Sequence, residues 1–447
     1  VDSNQAQHAV AIVGAGPAGL FAAKHLSGQS VRVALLNRDV RPGGLAEYGI
    51  YPDKLRMKDG LRKQFQGILS SPLVDYFGHV AVGARGNLAL QDLLNLGFEA
   101  ILVTVGAQGT KWLGLPGENL QGVYHAKDLV YHYNRLPPFS QRQYEIGRRV
   151  AVIGMGNVMT DICYWLVREQ KVEEIAIVAR RGPAEVKFDK KEFERLAANL
   201  DAEALEREVA RVAPSMRAIG QNPAAARDFI LSGRIKALPS GSSSRLRFEF
   251  LSAPTRLLGD ERDRVHALEV EDTTLVPAVG GTSALGRGTR REISVDTVIF
   301  AIGDCVDPGF GLPVQGTSFV KNPQPRFPIE GVSYEVWDPS GQRPWEAIFL
   351  AGWAREASTG LVGVARKDGT NGAKAVFQSL RPLRPRAPAP PDQLARRILT
   401  WAHPVVTKQD LPRLAAAEQV EAAHRGLAEF RFATDEEMLA AMSLATT

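Results

Sequence analysis

The stretch AVAIVGAGPAGLFAAKHL, residues 9–26, decides the fold. Five apolar residues of strand length run directly into Gly14, Gly16 and Gly19, and an apolar helical pattern opens behind them. At that spacing the first glycine makes the tight bend, the second lets the backbone approach a pyrophosphate, and the third lets helix and strand pack closely. The helix amino terminus then faces the phosphates with its free N–H groups. A second apolar run, VRVALL at 31–36, completes a βαβ unit. A dinucleotide site of this kind calls for an acidic residue on the adenosine ribose about 20 positions further on. Asn37 stands there instead, with an amide that can bond hydroxyls without charge assistance.

The same order returns at RVAVIGMGNVMTDICYWLVR (149–168), followed by IAIVARR (175–181). Here Gly154 and Gly156 open the turn, Thr160 replaces the third glycine, and the second strand ends in Arg180 and Arg181. Two guanidinium forks suit a dianionic 2'-phosphate, which a carboxylate would repel, so the residues favour NADP(H) over NAD(H). The alternative is a solvated cationic strand end. Two dinucleotide folds in one chain are best used by a tightly held FAD and an exchangeable nicotinamide, because a flavin accepts a hydride and releases electrons singly.

Outward from these units, AILVTVGA (100–107) reads as a strand and LGLPGENLQG (113–122) as a linker. A helix is expected over 190–212, then alternating strands around RLRFEFL and VHALEVEDTTL, ending in DTVIFAIGD (296–304). A late strand AIFLAGW (347–353) and the helical NGAKAVFQSL (371–380) could return to the first sheet. The Pro-rich stretch 382–391 reads as an exposed linker, and the remainder of the chain as helical.

The 447 residues are 45% hydrophobic and 23% charged, with 54 Lys and Arg against 49 Asp and Glu, a net +5. That composition suits a globular protein of two domains and is too weakly basic to imply nucleic acid. Cys163 and Cys305, the only cysteines, form no CxxC. This excludes a vicinal redox dithiol, a cysteine-held iron–sulfur cluster and a cysteine zinc site, and both read as buried thiols in a reducing compartment. The start VDSNQAQH carries no signal pattern, and glycines break the apolar stretch 9–23, so a cytoplasmic protein with no integral membrane segment is expected.

Beyond the glycine turns, the chain carries PGGLAEYGIYPDKLRMK (42–58), LPGENLQGVYHAKDLVYHYNRLP (115–137), ARRGPAEVKFDKKEFERL (179–196) and GWAREASTGLVG (352–363), in that order. With VGAGPAGLFAA (13–23) and VIGMGNVMTDI (152–162), these resemble the adrenodoxin reductase family of NADPH-ferredoxin reductases, including the bacterial ferredoxin-NADP reductases of that type. The resemblance implies an α/β fold of two Rossmann-like dinucleotide-binding domains, the NADP domain (108–330) inserted into an FAD domain (1–107 and 331–447). It implies that Gly14, Gly16 and Gly19 hold the FAD pyrophosphate, that Gly44 and Leu45 lie by the flavin, and that Trp353, Gly360 and Val362 form a later flavin-contacting stretch. Asn157, Arg180, Arg181 and Glu192, beside Gly154 and Gly156, would hold NADP(H).

The implied activity is transfer of electrons from NADPH, one at a time, to a ferredoxin or a similar small acidic electron carrier, in an oligomeric state the sequence leaves open. The other readings are an NADPH-oxidising flavin module of a larger redox complex and a cofactor-less binding module of the same fold. Four positions depart from the family pattern: Asn37 for an acidic residue, Glu47 for an Arg, Lys54 for a His, and Glu356-Ala357-Ser358 for an Arg or Gly and then Gly-Pro. No side-chain acid or base is required. Lys54 is a candidate modulator, either a fixed cation beside the isoalloxazine or a solvent-facing residue paired with Asp53.

Overall fold

Continuous apolar strands that alternate with helices can bury both strand faces only in a parallel sheet covered on two sides. The computed structural model, which describes residues 8–385 and 390–444, contains two such sheets. Residues 1–7 of the start and residues 386–389 of the Pro-rich stretch, both read above from sequence, lie outside the described residues. The chain divides into two compact units: Val1–Lys111 with Tyr131–Gln141 and Gly303–Thr447, and Trp112–Val130 with Arg142–Ile302.

In the first unit, Ala9–Val13 lies at the centre of the sheet, parallel to Arg32–Leu36 on one side and Ala100–Val103 on the other, with Val10 in register with Val33 and Ala100. Val74–Gly78 extends the sheet beyond Arg32–Leu36. The late strand does return, since Arg343–Leu350 pairs in parallel with Ala100–Val103. Two short antiparallel strands, Glu335–Asp338 and Val406–Thr407, occupy the edges. The helix Pro17–Ser27 is covered by the long helix Val362–Leu380, which begins well before the expected 371. Their closeness depends on Gly369, where a Cβ would collide with the Ala18 carbonyl.

In the second unit, Arg149–Ile153 is parallel to Thr297–Phe300 and Glu174–Val178, and the sheet continues to Val123–His125 on one side and Arg245–Glu249 on the other. A three-stranded antiparallel sheet, Ser252–Gly259, Val265–Ala278 and Gly281–Ser294, completes it. The expected fold class, α/β with two Rossmann-like units and the second inserted into the first, is the one observed.

Several expectations need correction. The division falls after Ile302, where 330 was expected, and after Lys111, where 107 was expected. Gly109–Thr110 pairs with Asp304–Cys305, which draws both segments into the first unit. Tyr131 and Leu136 join them there by packing on Tyr48. The single helix foreseen at 190–212 is two, Lys190–Phe193 and Ala202–Arg217. Between them Asn199 is buried and donates to Ser240 Oγ and to the Ser242 and Ser244 carbonyls, and Asp201 caps the second helix by accepting from the Ala204 amide at 2.9 Å. Pro390 and Pro391, read as linker, open the helix Pro390–Ile398. Cys163 is buried as expected, whereas Cys305 is half-exposed.

Gly369→Ala is expected to destabilise the protein by about 1–3 kcal/mol through this overpacking. Gly67→Ala, in the exposed face of the helix Leu55–Leu69 with nothing near its absent Cβ, is expected to stabilise it by roughly 0.5–1 kcal/mol. Urea unfolding of the two variants beside wild type gives both signs in one experiment.

Candidate functional site

Each unit carries its own glycine turn, and the roles deduced from spacing can be checked atom by atom. Gly14 has φ +107°, and a Cβ there would sit 2.7 Å from the Thr104 carbonyl oxygen. At Gly19 a Cβ would collide with the Gly14 carbonyl, so helix and turn can touch only because the side chain is missing. Gly16 differs: no atom lies within 4 Å of where its Cβ would be, and the turn is open there. No side chain caps the Pro17–Ser27 helix, so its first N–H groups keep their capacity to meet an anion. Gly43 donates its N–H to the Ala15 carbonyl at 2.7 Å, and a Cβ on Gly44 would lie 3.0 Å from Gly16 Cα. The Gly43–Gly44 loop therefore forms a second wall of the opening, with Leu45 starting the short helix Leu45–Tyr48 behind it.

Asn37 has partners within the protein at both ends of its amide. Its Oδ1 accepts from the Ala15 amide at 3.0 Å, and its Nδ2 donates to the Asp39 and Arg41 carbonyls, both at 2.8 Å. Both N–H donors are used inside the protein, in a side chain only 7% exposed, so none remains for a ribose hydroxyl. Asn37 is a strut between the glycine turn and the loop that follows the second strand.

The later stretch is built around an aspartate that sequence reasoning passed over. Asp368 accepts from the Gly352 amide at 2.6 Å, from Arg355 Nη2 at 2.6 Å and from the Tyr334 hydroxyl at 3.2 Å. It fixes the turn before Trp353, whose indole Nε1 donates to the Thr359 carbonyl at 2.9 Å. Gly360 has φ +72° and Val362 is the first residue of the long helix, which no side chain caps. Leu361 and Val364 are exposed apolar residues beside it. Lys54 precedes the helix Leu55–Leu69, half-buried. Glu47, the acid in place of an arginine, is buried and held by Arg62 at 2.8 and 2.7 Å. Burial opposes its charge, but the Arg62 bonds and the charges of Arg431, Arg62 and Lys58 prevail and draw its pKa down to about 2.

In the second unit, Gly154 has φ +130° with its missing Cβ against the Ala301 carbonyl, and Gly156 is open in the way Gly16 is. Thr160 is tolerated in the third place because it folds back, its hydroxyl donating to the Asn157 carbonyl at 2.6 Å. Asn157 and Asp189 bond reciprocally, Nδ2 to the carboxylate at 2.7 Å and the Asp189 amide to Oδ1 at 2.8 Å. The Lys187 amide also donates to the Met155 carbonyl at 2.9 Å. These bonds lay residues 187–189 along the turn and bring Glu192 into its neighbourhood, 3.8 Å from Arg195. Asp189 and Lys187 were not singled out in the sequence, where they read as part of a charged run. Arg180 and Arg181 follow the strand Glu174–Val178, their carbonyls accepting from Thr273 Oγ1 and the Leu251 amide. Among the described residues neither guanidinium enters an ion pair, although most arginines around them do. Two anchored but uncompensated guanidiniums at a strand end keep their forks available to an anion.

Two turns of this kind define a class, an oxidoreductase with two dinucleotide-binding units. The family model described as pyridine nucleotide-disulphide oxidoreductase matches residues 8–209. The chain is 29% identical over 409 residues to the NADPH-ferredoxin reductase FprA of Mycobacterium leprae, covering 83% of this chain and 84% of the relative. It is 26% identical to the mitochondrial NADPH:adrenodoxin oxidoreductase of Salvelinus fontinalis, covering 83% and 78%. The structure of Mycobacterium tuberculosis FprA in complex with NADPH superimposes with a TM-score of 0.79 at 24% identity, over 98% of this chain and 99% of that one. The resemblance to the adrenodoxin reductase family is thus borne out along most of the chain. Among the described residues no helix is long and apolar enough to cross a membrane.

Two outcomes follow from the first unit. Asn37→Asp would press a carboxylate against two carbonyls and should lower the unfolding free energy at pH 7 by roughly 2–4 kcal/mol, without tightening any dinucleotide. Denaturant titration and ligand titration of the variant check the two halves of that statement. Glu47 has its pKa lowered on folding from 4.5 to about 2, so its contribution is complete above about pH 4.5 and is lost as the pH falls toward 2. Glu47→Gln should therefore flatten the acid limb of the stability curve by roughly 2 kcal/mol between pH 7 and pH 3, read by urea unfolding at those two values.

Proposed function

We propose that this chain is an FAD-dependent reductase that takes hydride from NADPH and delivers electrons one at a time to a ferredoxin-like iron–sulfur protein. The observation that carries this reading is the pairing, in one chain, of an open glycine turn walled by Gly43 and Gly44 with a second open turn whose strand ends in the uncompensated Arg180 and Arg181. The family resemblance supports it along the same residues.

FAD fits the first unit, because the space a Cβ would occupy at Gly16 is empty and the helix behind it has no side-chain cap. When bound it would supply hydride acceptance and single-electron release, chemistry that no amino-acid side chain offers. Gly14, Gly16 and Gly19 would hold its pyrophosphate against backbone N–H groups, with Gly44 and Leu45 beside them. Trp353, Gly360 and Val362 would wall the ring system, and the Val362–Leu380 helix would direct its free amide groups at developing negative charge. Lys54, at the start of the Leu55–Leu69 helix, would be a modulator of that site. With Asn37 occupied as a strut, the adenosine is held without a charged side chain at that position.

Arg180 and Arg181 would take the 2'-phosphate of NADPH, Gly154 and Gly156 its pyrophosphate, and Asn157 and Glu192 would line the same turn. The acceptor is a small acidic carrier, and two cysteines, Cys163 and Cys305, that lie in no disulfide suit a cytoplasmic setting. The purified protein should be yellow, with flavin bands near ~450 nm. It should oxidise NADPH faster when the right ferredoxin is added, with saturation. A colourless protein that stays colourless with added FAD removes this reading. Arg180→Ala with Arg181→Ala should raise KM for NADPH at least ~10-fold and leave NADH kinetics nearly unchanged, because each lost charge-assisted contact is worth roughly 1.5–3 kcal/mol before compensation. Equal losses for both coenzymes contradict the assignment.

A further inference from the structure

The described residues of the first unit hold a ladder of charged side chains that the reductase chemistry does not use. Glu418, buried on the helix Leu411–His424, accepts both guanidinium prongs of Arg41, the Nη1 of Arg431, and the Phe432 amide at 3.1 Å. Glu429 accepts Arg62 at 2.6 Å and Arg431 at 2.9 Å. Glu47 takes Arg62 in a two-pronged pair and lies 3.4 Å from Arg431. Three carboxylates thus face three guanidiniums, with the exposed Asp59 a further partner of Arg62 at 2.9 Å, and the nearby Lys58 ammonium donates to Asn134 Oδ1 at 3.1 Å.

Buried ion pairs are a poor source of net stability, so the ladder is better understood by what it holds in place. Both of its inner ends reach one loop. Arg41 precedes Pro42-Gly43-Gly44, and Glu47 lies in the helix that follows them. Gly43 and Gly44, at φ +120° and +49°, have the widest conformational freedom a residue can have. The glycine turn restrains this loop from one side, through Asn37 and the Gly43 amide. The ladder restrains it from the other, and its anchor is the C-terminal segment. Glu47 makes the arrangement work, since an arginine there would place a fourth guanidinium against Arg62 and Arg431.

We propose that the segment 411–432 is a clamp on the Gly43–Gly44 loop, with Glu418 and Glu429 as positioning residues that hold the loop against the Gly14–Gly16 turn and so set how tightly FAD is retained. This rests on the FAD reading of that turn. The full-length protein, stripped of flavin, is examined as wild type, Glu418→Gln and Glu429→Gln. Amide hydrogen exchange at residues 43–48 should quicken at least ~10-fold in the variants under conditions where they remain folded. Titration with FAD should show at least ~5-fold weaker binding and an altered shape of the bound flavin's visible band, while the NADPH dissociation constant stays within ~2-fold.

A purely structural part would lower the urea midpoint without moving the exchange, the FAD affinity or the band. Should Glu418→Gln fail to fold, Glu429→Gln, nearer the rim, still decides. Unchanged exchange at 43–48 with unchanged FAD affinity overturns the clamp. Exchange that quickens in the variants while wild type itself takes up no FAD supports the clamp and removes the cofactor reading.

Discussion

The whole arrangement depends on backbone meeting backbone where no Cβ can be. At Gly19 the helix touches the Gly14 carbonyl, at Gly14 the turn touches the end of the Ala100–Val103 strand, and at Gly369 the long late helix touches the first. Each contact brings peptide groups closer than any side chain permits. The central strand, the turn, the helix behind it and a helix some 340 residues later are thereby fixed to one another. The openings at Gly16 and Gly156 are the other face of the same geometry. They stay open because the backbone around them is held too firmly to collapse inward.

Charge is handled differently in the two units. In the first, the loop beside the opening is surrounded by carboxylates and guanidiniums that cancel one another in burial, and Glu47 stays ionised far below its ordinary range. In the second, Arg180 and Arg181 are left uncompensated at the surface while their carbonyls are tied down. Compensation suits a wall that holds its shape with or without ligand. Uncompensated charge suits a site that receives and releases an anion, since the ligand itself supplies the neutralisation.

The elements legible in the sequence were those set by local pattern. Ala9–Val13 and Arg149–Ile153 are buried on both faces and read as unbroken apolar runs, and the glycine spacing after each dictates the turn. What escaped was set by partners far away in the chain. Asn199 breaks a helix because serines some 40 residues on accept its amide. Asp368 reads as a solvated helix acid until Gly352, Arg355 and Tyr334 converge on it. Asn37 was read by its position in a motif, whereas its two donors had been claimed by carbonyls two and four residues away. The Asp201 cap was there to be read, an Asp ahead of an Ala- and Glu-rich run.

The first unit is also discontinuous, and this bears on how the chain is made. Ala100–Val103 receives its partner Arg343–Leu350 only after more than two hundred further residues, and the helix that covers Pro17–Ser27 comes later still. During synthesis the amino-terminal half therefore waits with an apolar sheet edge unpaired and one helix uncovered, a state open to misassociation. The inserted unit waits less, since its sheet is complete once Thr297–Phe300 has emerged to fill the place between Val123–His125 and Arg149–Ile153. Its folding shortens the span that the two halves of the first unit must close, which lowers the entropy cost of their meeting. The order of folding thus reverses the order of translation: the domain begun first is finished last.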